Sequence, residues 1–119
     1  MSKAIVHQEF APDQGVLSFY TYEVLTKLLH ELVAAYPALA EIVSIGKSLE
    51  GRDLWLVTVT NKQTGPALEK PAYWIDGNTH AGEVTGSTVV LYTLWSYLTN
   101  YGRDATLTRV LDRSAIYLL

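Results

Sequence analysis

A histidine and a glutamate stand three residues apart in the stretch IDGNTHAGEVTG, where His80 and Glu83 follow an apolar run that ends at Asp76. Such a run is typical of a buried strand, and in an open α/β sheet ligands gather at the carboxyl ends of the strands. A neutral imidazole and a carboxylate at this spacing can converge on one cation, and this pair of donors suits zinc. Gly77 and Gly82 are expected to free the backbone to turn tightly around the histidine. The stretch is therefore a candidate metal site with His80 and Glu83 as ligands.

The same spacing also has a purely structural interpretation. His80 would hydrogen-bond within a loop, and Glu83 would lie in the first turn of a following helix, where the helix dipole favours an acid. The chain has three histidines and seven glutamates, so an H-x-x-E pattern arises by chance in about one such sequence in six. The spacing by itself leaves both interpretations open.

The composition limits the kinds of protein that this chain can be. Its 119 residues are 49% hydrophobic and 18% charged, which is typical of at most one modest globular domain. The absence of cysteine excludes disulfides and thiolate metal sites, so any transition metal must be bound by His, Asp or Glu. A net charge of -3 gives no basic surface, and we expect no nucleic-acid partner.

The apolar pattern predicts an α/β fold in which helices flank a sheet. A first helix is expected between Thr21, a suitable N-cap, and Pro37, which disfavours helical geometry in the residue before it. The remaining elements are expected as strands over 41–47, 53–60, 72–76 and 115–119 and helices over 85–101 and 105–112.

The connections are read from the same pattern. The first two strands flank the turn SLEGR and should form a hairpin. The third strand, AYWID, is short and apolar, as a central strand covered on both faces should be. Residues 1–18 are expected to be irregular, and residues 61–70 to form a polar surface loop.

One uncharged segment has the length of a membrane span. Residues 84–102 contain no charged side chain, but seven Ser, Thr and Asn residues interrupt them and a glycine lies near each end. We therefore expect a helix buried in an α/β protein and no membrane span. The first fifteen residues show no signal peptide, so the compartment is unknown, with the cytoplasm as the default expectation and export still open.

The last predicted strand stops inside an apolar run, without a turn signal or a polar tail. An unclosed apolar strand is prone to aggregate. We therefore expect this sequence to be the N-terminal part of a larger protein.

Several motifs together are more specific than H-x-x-E. In order they are SIGKSLEGRDLWLVTVT, KPAYWIDGNTHAGEVTGS, NYGRD and VLDRSAIYLL. From about Phe19 to Leu119 this order resembles the N-terminal part of the zinc carboxypeptidases (M14 family, carboxypeptidase A/T type). The resemblance implies a mixed, twisted, eight-stranded sheet flanked by helices, with residues 19–119 as the N-terminal portion of the catalytic domain and the sheet incomplete in this chain.

The resemblance also implies a site and an activity. His80 and Glu83 would be the first two ligands of one Zn²⁺ per complete catalytic domain, and carboxypeptidase A is a standard example of a two-histidine, one-glutamate zinc site. The implied reaction is zinc-dependent hydrolysis of the C-terminal peptide bond of a peptide with a free carboxylate. The second histidine, the glutamate base, the carboxylate-binding arginine and a tyrosine would lie beyond residue 119. No catalytic residue is then expected within this chain, which alone should be inactive.

Four further positions bear on the resemblance. His7, in the N-terminal segment, and His30, on the polar face of the first helix, are poorly placed as a third ligand and are interpreted as surface histidines. Gly82 stands where animal digestive members of the family carry an arginine that lines a substrate subsite, which puts the C-terminal side-chain preference in doubt. Arg52 matches a family position, and we expect it to support the hairpin.

Two other functions compete with the peptidase. A zinc amidohydrolase of the aspartoacylase and succinylglutamate desuccinylase type also uses H-x-x-E after a strand, but acts on N-acyl amino acids. The other alternative is a non-catalytic fragment or binding module that uses the fold without the chemistry. The upstream hairpin motif favours the peptidase over the amidohydrolase, and the intact pair of donors counts against a degenerate module.

Overall fold

The computed structural model describes residues 19–119. The predictions of an irregular segment over residues 1–18 and of a surface position for His7 lie outside the described residues. The elements follow in the order α1 (Tyr22–Ala35), β1 (Ala40–Lys47), β2 (Asp53–Val59), β3 (Ala72–Ile75), α2 (Thr85–Asn100), α3 (Ala105–Arg113) and β4 (Ala115–Leu118). Each predicted helix and strand is present, with ends within one or two residues of those expected.

Helix α1 begins and ends where its local chemistry dictates. The Thr21 hydroxyl accepts a hydrogen bond from the Val24 amide at 3.4 Å, which satisfies one of the free N–H groups of the first turn. The apolar stripe buries Leu28, Leu29 and Leu32 against the sheet. The helix stops two residues before Pro37, as predicted.

Strands β1 and β2 form the predicted antiparallel hairpin. Gly51 supplies a positive φ of 80° in its turn, a conformation that costs little without a Cβ. Lys47 and Asp53 form an ion pair of 2.7 Å beside the turn, and the Arg52 guanidinium donates to the Glu50 carboxylate. Arg52 therefore lies in the turn with its charge engaged there, as expected of a residue that supports the hairpin.

The four strands form one mixed sheet in the order β1-β2-β4-β3. Strand β4 pairs antiparallel with β2 and parallel with β3, so it lies between two strands that precede it in sequence. This arrangement, with helices packed on the sheet, confirms the predicted α/β fold class of a mixed sheet flanked by helices.

Within residues 19–119 the third strand is not covered on both faces, in contrast to the prediction of a central strand. Strand β3 lies at one edge of the four-stranded sheet, and the side chains of Tyr73 and Trp74 are 65% and 51% exposed. A short apolar run looks the same in a central and in an edge strand, so its pattern could not separate the two. Trp74 stacks on Tyr117 of β4 with ring centroids 6.4 Å apart, which shields part of its surface.

Helix α2 places one stripe in the core instead of being covered all round. Its buried residues are Thr88, Leu91, Leu94 and Leu98, while Val89 and Tyr92 are exposed on the other side. Alternate residues of β2, Val57 and Val59, complete this core together with Leu32 of α1 and Leu111 of α3. In the part of the chain that the structure describes, no helix is long and apolar enough to cross a membrane.

The segment 61–70 is more than the polar surface loop predicted from its composition. It contains two short 3₁₀ turns, Lys62–Thr64 and Ala67–Glu69, and its first residue, Asn61, is only 8% exposed. The Asn61 amide donates to the Tyr101 hydroxyl and to the Asp112 carboxylate, both at 2.9 Å. These bonds tie the loop to the end of α2 and to α3, because a buried amide must find partners there.

The loop after β3 is held against the first turn of α2 by two glycines in close contact. A Cβ on Gly77 would lie 2.6 Å from the carbonyl oxygen of Gly86, and a Cβ on Gly86 would lie 2.6 Å from the amide nitrogen of Asn78. Both distances are shorter than real Cβ contacts, so neither position has room for a side chain. The chain that leaves β3 is therefore held at a fixed distance from α2.

The Asp112 carboxylate should make stability depend on acid pH. Hydrogen bonds from Tyr101 and Asn61 lower the pKa of Asp112 below its usual value. A lowered pKa in the folded state stabilises the protein above the unfolded value of about 3.9, and that contribution is lost as the pH falls through the folded value. We expect wild type to be more stable than Asp112→Asn near neutral pH and the difference to shrink as the pH falls below the unfolded pKa of Asp and through the lower folded value, measured by denaturant unfolding. Glu69→Gln, at an exposed acid of the neighbouring loop, is the control; a pH-independent difference for Asp112→Asn would contradict the assignment.

Gly77→Ala should destabilise the protein because the added methyl group meets the backbone of Gly86. Overpacking of this kind costs about 1–3 kcal/mol in the free energy of unfolding. Gly82→Ala is the matched control in the same loop, since a Cβ there meets nothing within 4 Å, and its effect should stay within about 0.5 kcal/mol. Denaturant unfolding of the two variants measures the difference, and equal losses would show that the contact is not tight.

Candidate metal site

The candidate ligands follow the carboxyl end of β3 directly. Strands β3 and β4 run parallel, so their carboxyl ends meet at the same edge of the sheet. The Leu119 amide donates to the Ile75 carbonyl at 3.0 Å, and the Gly77 amide donates to the Leu119 carbonyl at 3.2 Å. The ladder thus extends by one residue on each strand before the chain leaves the sheet for the loop.

His80 and Glu83 lie in one turn of this loop. The Glu83 amide donates to the His80 carbonyl at 2.9 Å, and the Gly86 amide donates to the Glu83 carbonyl at 3.0 Å. Both residues are exposed. Within residues 19–119, neither the His80 imidazole nor the Glu83 carboxylate makes a hydrogen bond or ion pair, so both groups are available to bind a cation.

Glu83 lies directly before helix α2, which begins at Thr85 with Val84 as its N-cap. The first turn of the helix itself contains no acidic residue. An acid so close to the helix N-terminus is still favoured by the dipole, so the position of Glu83 is compatible with both interpretations. The imidazole of His80 takes no part in the loop's hydrogen bonds; the carbonyl of the same residue does.

The described part of the chain supplies two donors and no third. Among residues 19–119, no group of three or more His, Asp or Glu side chains is placed to hold a metal ion. His30 is exposed on α1, where its Nδ1 lies 2.8 Å from the Thr26 carbonyl and its ring packs edge-on against Trp55. His30 therefore has the surface position predicted for it.

The donor pair fits part of a zinc site. Imidazole nitrogen and carboxylate oxygen are both zinc ligands, and a catalytic zinc site takes three protein ligands and keeps one position open for water. His80 and Glu83 are the residues of the described chain that would hold the ion, and a further protein ligand is required.

The turn depends on Asn78, to which the sequence pattern assigned no role. Asn78 has a φ of 62° and is the one non-glycine residue of the described chain in the left-handed region. Gly77 and Gly82, the residues expected to make the turn, do not adopt a positive φ. Gly77 is needed for close approach to Gly86, and Gly82 has open space around it. Asparagine tolerates the left-handed region better than most residues, and this was the available signal in the sequence.

Two side-chain hydrogen bonds lie in the first half of the loop, and only the second of them reaches a candidate ligand. The Thr79 hydroxyl donates to the Asp76 carboxylate at 2.8 Å, and the Asn78 amide nitrogen donates to the His80 carbonyl at 2.9 Å. Beside the loop a cavity of about 490 Å³ opens between α1, β2 and α2, with apolar walls and Asp76, Asn78 and Thr79 at one end. The candidate ligands therefore lie on a loop with its own internal order, next to a concave surface.

Comparison with known proteins agrees with this arrangement. Carboxypeptidase A2 of Rattus norvegicus is 33% identical over 108 residues, which cover 88% of this chain and 25% of that protein. Metallocarboxypeptidase A of Arthroderma otae is 31% identical over 110 residues, which cover 92% of this chain and 26% of that protein. The chain thus spans about a quarter of the length of each of these relatives.

The fold agrees as well. The crystal structure of carboxypeptidase A from Helicoverpa armigera superposes with a TM-score of 0.72 at 21% identity, covering 98% of this chain and 30% of that one. A family model for the zinc carboxypeptidases matches residues 25–119, which include the hairpin, the strand β3, the candidate ligands and β4. On this evidence the chain belongs to the zinc carboxypeptidase family.

Proposed function

We propose that the protein is a zinc-dependent metallocarboxypeptidase that hydrolyses the C-terminal peptide bond of peptides, with His80 and Glu83 as two of its zinc ligands. One observation carries the proposal: the family match over residues 25–119 coincides with a turn at the carboxyl end of β3 that contains both donors. Fold alone does not fix a function, so the argument depends on these two side chains and their place in the sheet.

A zinc ion bound there would act as a Lewis acid on the scissile carbonyl and lower the pKa of a bound water. The side chains of His80 and Glu83 are exposed and make no hydrogen bond within the described chain, so binding a metal through them would break none. By analogy with the family, the third ligand, the glutamate base and the carboxylate-binding arginine would lie past residue 119. Residues 19–119 would then form the N-terminal portion of the catalytic domain.

The family match supports the peptidase over the related amidohydrolases, because the relatives that match are named carboxypeptidases. The substrate would be a peptide with a free C-terminal carboxylate. Gly82 leaves open space where animal digestive members of the family carry an arginine. A subsite contact from that position would therefore be missing in this enzyme.

Replacing either donor should abolish zinc binding and activity together. In the full-length protein we expect His80→Ala and Glu83→Ala to lose bound zinc and to reduce release of the C-terminal residue by several orders of magnitude. Metal analysis and a peptide assay measure the two effects. His30→Ala is the control, because His30 lies on the surface of α1. A peptide whose C-terminus is amidated should resist cleavage, because it lacks the free carboxylate. If the protein cleaves an N-acyl amino acid and not the peptide, the result would favour the amidohydrolase.

The 119-residue chain by itself should not hydrolyse peptides and should hold zinc weakly. Its described residues include two candidate ligands, whereas a catalytic zinc site needs three protein ligands. Exposed apolar side chains on β1 and β3, such as Val43, Ile45 and Trp74, should also make the isolated chain associate with itself. The measurement is an assay of the purified chain with and without added zinc. Chelator-sensitive release of the terminal residue would overturn this account of the site.

A further inference from the structure

The side chain of Asn78 is held at both ends. Its Oδ1 accepts a hydrogen bond from the Ser87 hydroxyl at 2.8 Å, and its Nδ2 donates to the His80 carbonyl at 2.9 Å. A carbonyl oxygen can only accept, so Nδ2 must face His80, which leaves Oδ1 for the hydroxyl. The amide therefore connects the first turn of α2 to the backbone of the first candidate ligand.

The backbone of the second candidate ligand, Glu83, is bonded to the same His80 carbonyl oxygen. The Glu83 amide also donates to the His80 carbonyl, at 2.9 Å, so this oxygen accepts from both Asn78 and Glu83. A carbonyl has two lone pairs and can accept both bonds. The relative placement of the His80 and Glu83 backbones is thus set at one oxygen atom, and Asn78 is the side chain that holds this oxygen.

The backbone of Asn78 adopts the left-handed conformation, which is uncommon for a residue other than glycine. A φ of 62° is unfavourable for most residues, and glycine would avoid this cost. Glycine at this position would supply the conformation but neither hydrogen bond. The packing of Gly77 and Gly86 brings Asn78 close enough to α2 for its side chain to reach Ser87.

We propose that Asn78 and Ser87 form a positioning bridge that sets the His80–Glu83 turn for metal binding, an inference that rests on the proposed function. The bridge works before the metal arrives: it holds both ligand-bearing backbones in place, so that less order has to be gained on binding. Neither residue is proposed as a ligand of the ion. Their loss should weaken zinc binding although both ligands remain.

The test measures the zinc dissociation constant of the full-length protein by competition with a chelator. Asn78→Gly keeps the positive φ but removes the amide, and should raise the dissociation constant about tenfold or more, the scale seen when partners of metal ligands are removed. Ser87→Ala should raise it several-fold, because the amide then keeps one of its two anchors. The double variant should bind zinc no more weakly than Asn78→Gly, since both changes break the same bridge. Ser87→Thr retains the hydroxyl and should restore the affinity.

Thr79→Val is the matched control, because it removes a hydrogen bond of the same loop that touches neither His80 nor Glu83. It should leave the dissociation constant within about twofold. The visible spectrum of the cobalt(II) protein provides a second measurement: Asn78→Gly should change its bands, and Thr79→Val should not. Unfolding of the metal-free variants identifies temperatures at which all are folded, and affinities are compared there.

The possible outcomes separate the bridge from the proposed function. If Asn78→Gly and Ser87→Ala weaken zinc binding no more than Thr79→Val does, while His80→Ala abolishes it, the bridge is overturned and the ligands stand. If His80→Ala leaves zinc binding unchanged, the ligand assignment fails and the bridge fails with it. Weakened zinc binding with unaltered ligands, restored by Ser87→Thr, supports the bridge.

Discussion

The contact between Gly77 and Gly86 is the constraint on which the rest of the site depends. It brings the chain leaving β3 against the first turn of α2 at a distance that admits no side chain at either position. This contact brings the Asn78 side chain within hydrogen-bond distance of Ser87. The turn that contains His80 and Glu83 and the start of the helix at Thr85 lie between the two glycines. Such a loop can present two donors without regular secondary structure of its own, because its two ends are already fixed by β3 and α2.

The sheet holds the other end of the loop in place, because β3 is paired within it. Strand β4 pairs with both β2 and β3, so it joins the hairpin to the strand that leads into the site. The core that α1, α2 and α3 form on one face holds this arrangement through fully buried leucines such as Leu32, Leu94 and Leu111. Rigidity at the ligands is therefore derived from packing some distance away, as is usual for loops that carry function on a fixed scaffold.

The sequence predicted the elements well because their signals are local. The Thr21 cap, Pro37 and the apolar periodicity of α1 act within a few residues, and so do the turn residues of the hairpin. What it missed depends on partners distant in the chain: the edge position of β3 and the bonds of Asn61 to Tyr101 and Asp112. At the site, the residue types of the donors were visible in the sequence. The role of Asn78 was not, because its left-handed conformation and its partner Ser87 appear only once Gly77 and Gly86 are in contact.

The place of β4 between β2 and β3 also determines the order in which the chain can fold as it is synthesised. The two strands of the hairpin are adjacent in sequence, whereas among the described strands β3 pairs only with β4, which emerges about forty residues later. At a synthesis rate of about 5–20 residues per second, this interval lasts roughly 2 to 10 seconds. During that time Tyr73 and Trp74 belong to an unpaired apolar segment on a nascent polypeptide. The ligand loop that follows β3 can therefore acquire its final structure only after β4 has paired with β3.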